Sequence, residues 1–68
     1  MTISDYEAEI HVYRILMFKG RATAEQLALG LELEAGQVYR ALGHLKELGV
    51  VLLPGGELWE ISPAWKLS

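Results

Sequence analysis

The side chains here that could carry catalytic or metal chemistry are few and far apart. His11 and His44 are the imidazoles of the chain, and there is no cysteine to join them. Transition metals gather imidazole and thiolate ligands into close groups, so a metal site would need carboxylates brought in by folding, and none is expected. Ser4, Ser62 and Ser68 sit at a helix cap or near the chain ends, where no base stands beside them to make a nucleophile. Gly55-Gly56 precedes no helix and reads as a turn, not as a phosphate loop. Neither an enzyme nor a cofactor is expected of this set. What remains is a short run of hydrogen-bonding and charged side chains, Gln37, Tyr39, Arg40, His44 and Lys46, and the elements that must hold them.

The run lies in the most regular stretch of the sequence. Val38, Ala41, Leu42, Leu45 and Leu48 recur at i, i+3, i+4, i+7 and i+10, which predicts a helix from Ala35 to Leu48 ended by Gly49. Opposite that apolar stripe come Gly36, Arg40, Gly43 and Glu47, flanked by Gln37, Tyr39, His44 and Lys46. Before it, Thr23 and Gln26 form a Thr-x-x-Gln capping box, and Ala24, Leu27, Ala28 and Leu31 keep helical spacing, so a short helix is expected from Ala24 to Leu29 with Gly30 as its stop. A first helix, Asp5 to Phe18, starts at the capping box Ser4 and Glu7 with Ile3 as a hydrophobic staple, and closes at Gly20. It carries two apolar stripes, Ala8, Val12, Ile15, Leu16 and Tyr6, Ile10, Tyr13, Met17. After Gly49, Val50 to Leu53 and Leu58 to Ile61 read as strands around a turn at Pro54 to Glu57, Pro63 ends the second, and Arg21-Ala22 makes a short third strand. The fold class is therefore mainly α with a β-hairpin. The expected core is Leu27, Val38, Leu42, Leu45 and Leu48, closed by Trp59 and Ile61.

Sixty-eight residues suit one domain, 1–68, which buries only about 60% of the surface of its unfolded chain. Half of the residues are apolar, enough to build a core. The longest apolar runs, Ile15 to Phe18 and Val50 to Leu53, fall well short of the roughly 20 residues of a membrane span. With no basic or apolar lead at the N-terminus and no cysteine, a cytoplasmic protein is expected. The net charge of −3 opposes a polyanion at long range, so any nucleic-acid contact must rest on local cations.

From Thr23 to Val51 the sequence Thr-Ala-Glu-Gln-Leu-Ala, then Leu33, then Val-Tyr-Arg-Ala-Leu-Gly-His-Leu-Lys-Glu-Leu-Gly-Val-Val closely resembles the core of winged helix-turn-helix transcription regulators, and the likeness extends to Ile61 once the hairpin is included. The resemblance implies a three-helix winged helix-turn-helix domain that binds duplex DNA as a transcriptional regulator, with the third helix in the major groove and the hairpin as the wing. It assigns DNA contact to Gln37, Tyr39, Arg40, His44 and Lys46, with Arg40 at a guanine or a phosphate.

The chain departs from the family pattern where that pattern holds phosphates. Glu34, Ala35, Gly36 and Gln37 stand where hydroxyl and basic residues usually open the recognition helix, and the segment Glu34 to Gly49 is charge-neutral, Arg40 and Lys46 being matched by Glu34 and Glu47. The wing has Pro-Gly-Gly at its tip with Glu57 and Glu60 nearby. Leu53-Pro-Gly-Gly-x-x-Trp59 is also similar to the small C-terminal winged domain of the bacterial DNA-processing protein of natural transformation. That likeness implies the alternative function, a winged-helix interaction or assembly module that docks a protein partner by its wing or first helix. Tyr6, Ile10, Tyr13 and Met17 are expected at a homodimer seam; the rival is that Trp65 and Leu67 fold back and cover them within one chain.

Overall fold

The computed structural model describes residues 3–66. Helix α1, Asp5–Lys19, begins where Ser4 Oγ accepts the Glu7 N–H at 3.1 Å. The Glu7 carboxylate turns to the Ser4 hydroxyl at 3.4 Å, where a full capping box would have it accept from the Ser4 N–H. The helix ends at Lys19, one residue beyond Phe18, and is capped by Gly20, whose φ of 91° is open only to a residue without Cβ. Strand β1, Arg21–Ala22, leads to helix α2, Ala24–Leu31, where the Thr23 and Gln26 box is complete: Thr23 N–H donates to Gln26 Oε1 (2.9 Å) and Gln26 N–H to Thr23 Oγ1 (3.0 Å).

Gly30 does not stop α2. The helix runs through it, and Glu32 takes the left-handed position with φ 57°. The next N–H, of Leu33, reaches back to the Ala28 carbonyl at 2.9 Å and closes the turn. Helix α3, Ala35–Glu47, ends one residue short of Leu48. Leu48 is the cap, Gly49 swings the chain away at φ 79°, and the Leu48 side chain is left 59% exposed. The i+10 position that predicted its burial falls beyond the last turn of helix.

Strand β2, Val51–Leu52, and strand β3, Trp59–Ile61, are shorter than the apolar runs that announce them, and β3 is central in an antiparallel sheet of order β1-β3-β2. Arg21 pairs with Glu60 and Ala22 with Trp59 on one side; Val51 pairs with Ile61 and Leu52 with Glu60 on the other. A one-turn helix α4, Pro63–Lys66, follows, with Pro63 at its first position and the Trp65 and Lys66 N–H groups on the Ser62 carbonyl.

The first stripe of α1 (Ala8, Val12, Leu16) meets Leu27 of α2, Val38, Ala41, Leu42 and Leu45 of α3, and Val51, Trp59 and Ile61 of the sheet in one buried cluster. Each large side chain sealed there contributes about 1.5–3 kcal/mol by leaving water. This cluster fixes α3 by its inner face and leaves its outer face for other work. Trp65 does fold back on α1, its indole N–H donating to Tyr13 Oη at 3.1 Å. Leu67, the other residue expected there, lies outside the described residues.

Candidate nucleic-acid interface

The middle of the outer face of α3 carries almost no side chain. Added Cβ atoms would meet nothing within 4 Å at Gly43 and only Arg40 Nη1, at 3.7 Å, at Gly36. Arg40 lies between these two glycines along the chain, so a guanidinium rises beside bare helical backbone. Its Nη2 is 3.5 Å from Asp5 Oδ1, with the two side chains 63% and 60% exposed. A pair so long and so wet is worth under about 1 kcal/mol and leaves the rest of the fork able to donate.

The residues on the edges of α3 have carboxylate neighbours. Tyr39 donates its hydroxyl to Glu25 Oε1 of α2 at 2.8 Å. This bond, and the charge of the carboxylate, hold the phenol above its ordinary pKa. Glu25 is held below the usual carboxylate range, first by its own backbone N–H and then by Tyr39. His44 Nδ1 stands 2.8 Å from Glu9 Oε1 of α1. A proton on Nδ1 donates to that carboxylate and leaves Nε2 as the second ring nitrogen. Lys46 is exposed.

Gln37 is misplaced by the periodicity argument. It is only 8% exposed, and its Nε2 donates to the Ile3 carbonyl at 2.8 Å and to Asp5 Oδ1 at 3.4 Å. Its edge of α3 faces the start of α1, so the amide ties the two helices together at the wall of a cleft it shares with Arg40.

The partner carboxylates Asp5, Glu9 and Glu25 were not singled out by the sequence. A signal was there for two of them: Asp5 and Glu9 are spaced i, i+4, and so are Arg40 and His44, which lets α1 and α3 pair them rung by rung. On the other side, a cleft of about 350 Å³ between α3 and the wing is lined by Thr23, Glu25, Tyr39, Leu53, Glu57 and Trp59. The wing brings no cation to it. Trp59 closes the core there, 7% exposed.

The second stripe of α1 forms a separate feature. Tyr6, Ile10 and Tyr13 join Leu45, Leu48, Val50 and Trp65 around an apolar groove of about 320 Å³. Tyr6 is 72% exposed and Met17 is exposed as well. Trp65 therefore covers part of the stripe through Tyr13, Ile10 is half-buried, and Tyr6 and Met17 face solvent. Phe18 and Leu29, exposed apolar residues on other faces, take no part in it.

Three helices, a three-stranded sheet and a hairpin after the third helix define a winged helix-turn-helix. The family description of the sugar-specific transcriptional regulator TrmB matches residues 3–57, and the chain belongs to that family. Among solved structures it is similar to the Zalpha domain of Cyprinid Herpesvirus3 ORF112, described in its binding mode to Z-DNA (28% identity, 88% of this chain and 98% of that one, TM-score 0.76). It is also similar to the Zalpha domain of PKZ from Carassius auratus, solved in complex with Z-DNA (20% identity, 84% and 95% coverage, TM-score 0.76). No curated protein matches the chain. Among the described residues no helix is long and apolar enough to cross a membrane.

Proposed function

We infer that this winged-helix regulator domain binds duplex DNA with α3 in the major groove. The observation that carries the reading is the outer face of α3, where Gly36 and Gly43 expose the helix backbone and Arg40 stands between them in the sequence. A helix stripped in this way approaches a groove floor closely, and a guanidinium there has the geometry to bind guanine O6 and N7. Arg40 and Lys46 supply the cations, and His44 adds a ring nitrogen at the α1 edge. With so few phosphates neutralised and a net charge of −3, binding depends only shallowly on salt. Gln37 takes no part. The reading keeps the cytoplasm as its expected compartment, which the absence of cysteine fits.

A second copy would extend the reading. Tyr6, Ile10, Tyr13 and Met17 offer an apolar strip for a two-fold seam, which would set two α3 helices for half-sites about one DNA turn apart. Sedimentation of the wild-type chain and of Tyr13→Glu tests the seam: a dimer that dissociates on substitution supports it, and a wild-type monomer at high concentration ends it.

Fluorescence titration with mixed-sequence duplex at two salt concentrations tests DNA binding, with a left-handed dC-dG repeat as second probe because both structural neighbours are described with Z-DNA. Saturable binding that Arg40→Ala weakens supports the reading. No binding of either probe at low salt gives the lead to a protein-docking module acting through the wing or α1, which the acidic wing and the apolar groove favour.

A further inference from the structure

The hydroxyl of Tyr39 has one proton, and that proton is committed. It donates to Glu25 Oε1 at 2.8 Å, and Glu25, in the first turn of α2, is itself anchored by its backbone N–H and by Thr23. An ionised carboxylate only accepts, so the direction of this bond is fixed and the Oη atom turns nothing but lone pairs to a ligand. Tyr39 is half exposed at the edge of α3 that borders the wing cleft, next to Arg40 in the chain. At Oη itself a phosphate oxygen finds no free proton and meets the charge of Glu25, with Glu57 lining the same cleft, so a phosphate on this side is held by Arg40 and not by Tyr39. In the major groove the groups that donate are the amino groups N6 of adenine and N4 of cytosine, while guanine and thymine present acceptors.

We propose that Tyr39 is a specificity-determining acceptor that selects an amino base, adenine or cytosine, over guanine or thymine at the position it faces. This rests on the DNA-binding reading above and adds a rule for one base. Because every base pair carries one amino group in the major groove, a single acceptor reads the strand on which that group lies. Glu25 acts as the positioning residue: it never touches the base, and it sets the polarity of the hydroxyl that does.

The experiment is selection from a randomised duplex library by the full chain in three forms, wild type, Tyr39→Phe and Glu25→Ala, with circular dichroism to show that each is folded. Wild type is expected to show one position at which A and C are preferred by about fivefold or more. Tyr39→Phe flattens that position and leaves the others. Glu25→Ala frees the proton, so G and T, which carry acceptors, enter at that position and no other. A Tyr39→Phe variant that binds every sequence more weakly by the same factor, with its salt slope unchanged, makes the contact a phosphate and overturns the proposal. So does a Glu25→Ala variant whose preference is unchanged, or a Tyr39→Phe variant that keeps every preference of the wild type. If the wild type selects no duplex, the DNA reading itself has failed and this rule falls with it.

Discussion

Along α3, Val38, Ala41, Leu42 and Leu45 turn inward and are closed to solvent, while Gly36, Arg40 and Gly43 on the opposite side lie open. The inner residues are interchangeable in kind, since their work is to fill space and leave water. Arg40, His44 and Tyr39 are not, because each has a particular neighbour: Asp5 at Arg40, Glu9 at His44, Glu25 at Tyr39. The difference teaches that what α3 offers a ligand is decided by carboxylates on α1 and α2, not by its own sequence alone. The result is a helix with a bare centre and edges whose donors are partly used.

Four substitutions press on this contrast. Leu42→Ala removes a fully buried side chain from the inner face and should lower unfolding free energy by about 2–5 kcal/mol in urea denaturation. A loss under about 0.5 kcal/mol would mean that α3 is not seated by that face. Gln37→Ala strips the bond to the Ile3 carbonyl and should cost about 1–3 kcal/mol of stability; a change in DNA affinity with stability intact would return Gln37 to the outer face. Arg40→Ala should do the opposite, weakening duplex binding by about 1–3 kcal/mol in titration while moving stability by no more than about 0.5 kcal/mol. The smallest effect is at the edge. Glu25 has its folded pKa lowered, so the stability it lends is present above the ordinary carboxylate range and fades as pH falls through the lowered value. Tyr39 has its folded pKa raised, so its share is present below the ordinary phenol value and fades as pH rises through the raised one. Their bond therefore holds across the neutral range. In Tyr39→Phe an NMR titration of Glu25 should move part of the way back toward the ordinary value, and an unmoved titration would show that the bond is not made in solution.

Much of the fold was legible because caps and periodicity are local. Thr23 with Gln26, Ser4 before α1 and Gly49 after α3 each act within a turn of helix, and the i, i+3, i+4, i+7 series of α3 names its inner face directly. The misreadings came where a local rule met a neighbour. Gly30 reads locally as a stop, yet the left-handed turn falls at Glu32, where the Leu33 N–H can reach the Ala28 carbonyl. Leu48 continued the series in sequence after the helix had ended in space. Gln37 read as an outer residue because only the packing of α1 shows that its edge is covered. The candidate site was legible as a set of residue types, while its polarity depended on Asp5, Glu9 and Glu25, which contact α3 only across 14 to 35 residues of chain.

The central claim is that the outer face of α3 is the ligand-binding surface. Amide chemical-shift mapping during titration with mixed duplex tests it most directly, since Gly36 and Gly43 report from the middle of that face. The account predicts that Gly36, Tyr39, Arg40, Gly43 and Lys46 shift together while Tyr6, Ile10 and Met17 on α1 stay in place. Shifts confined to the α1 groove, with Gly36 and Gly43 unmoved at saturation, would contradict it.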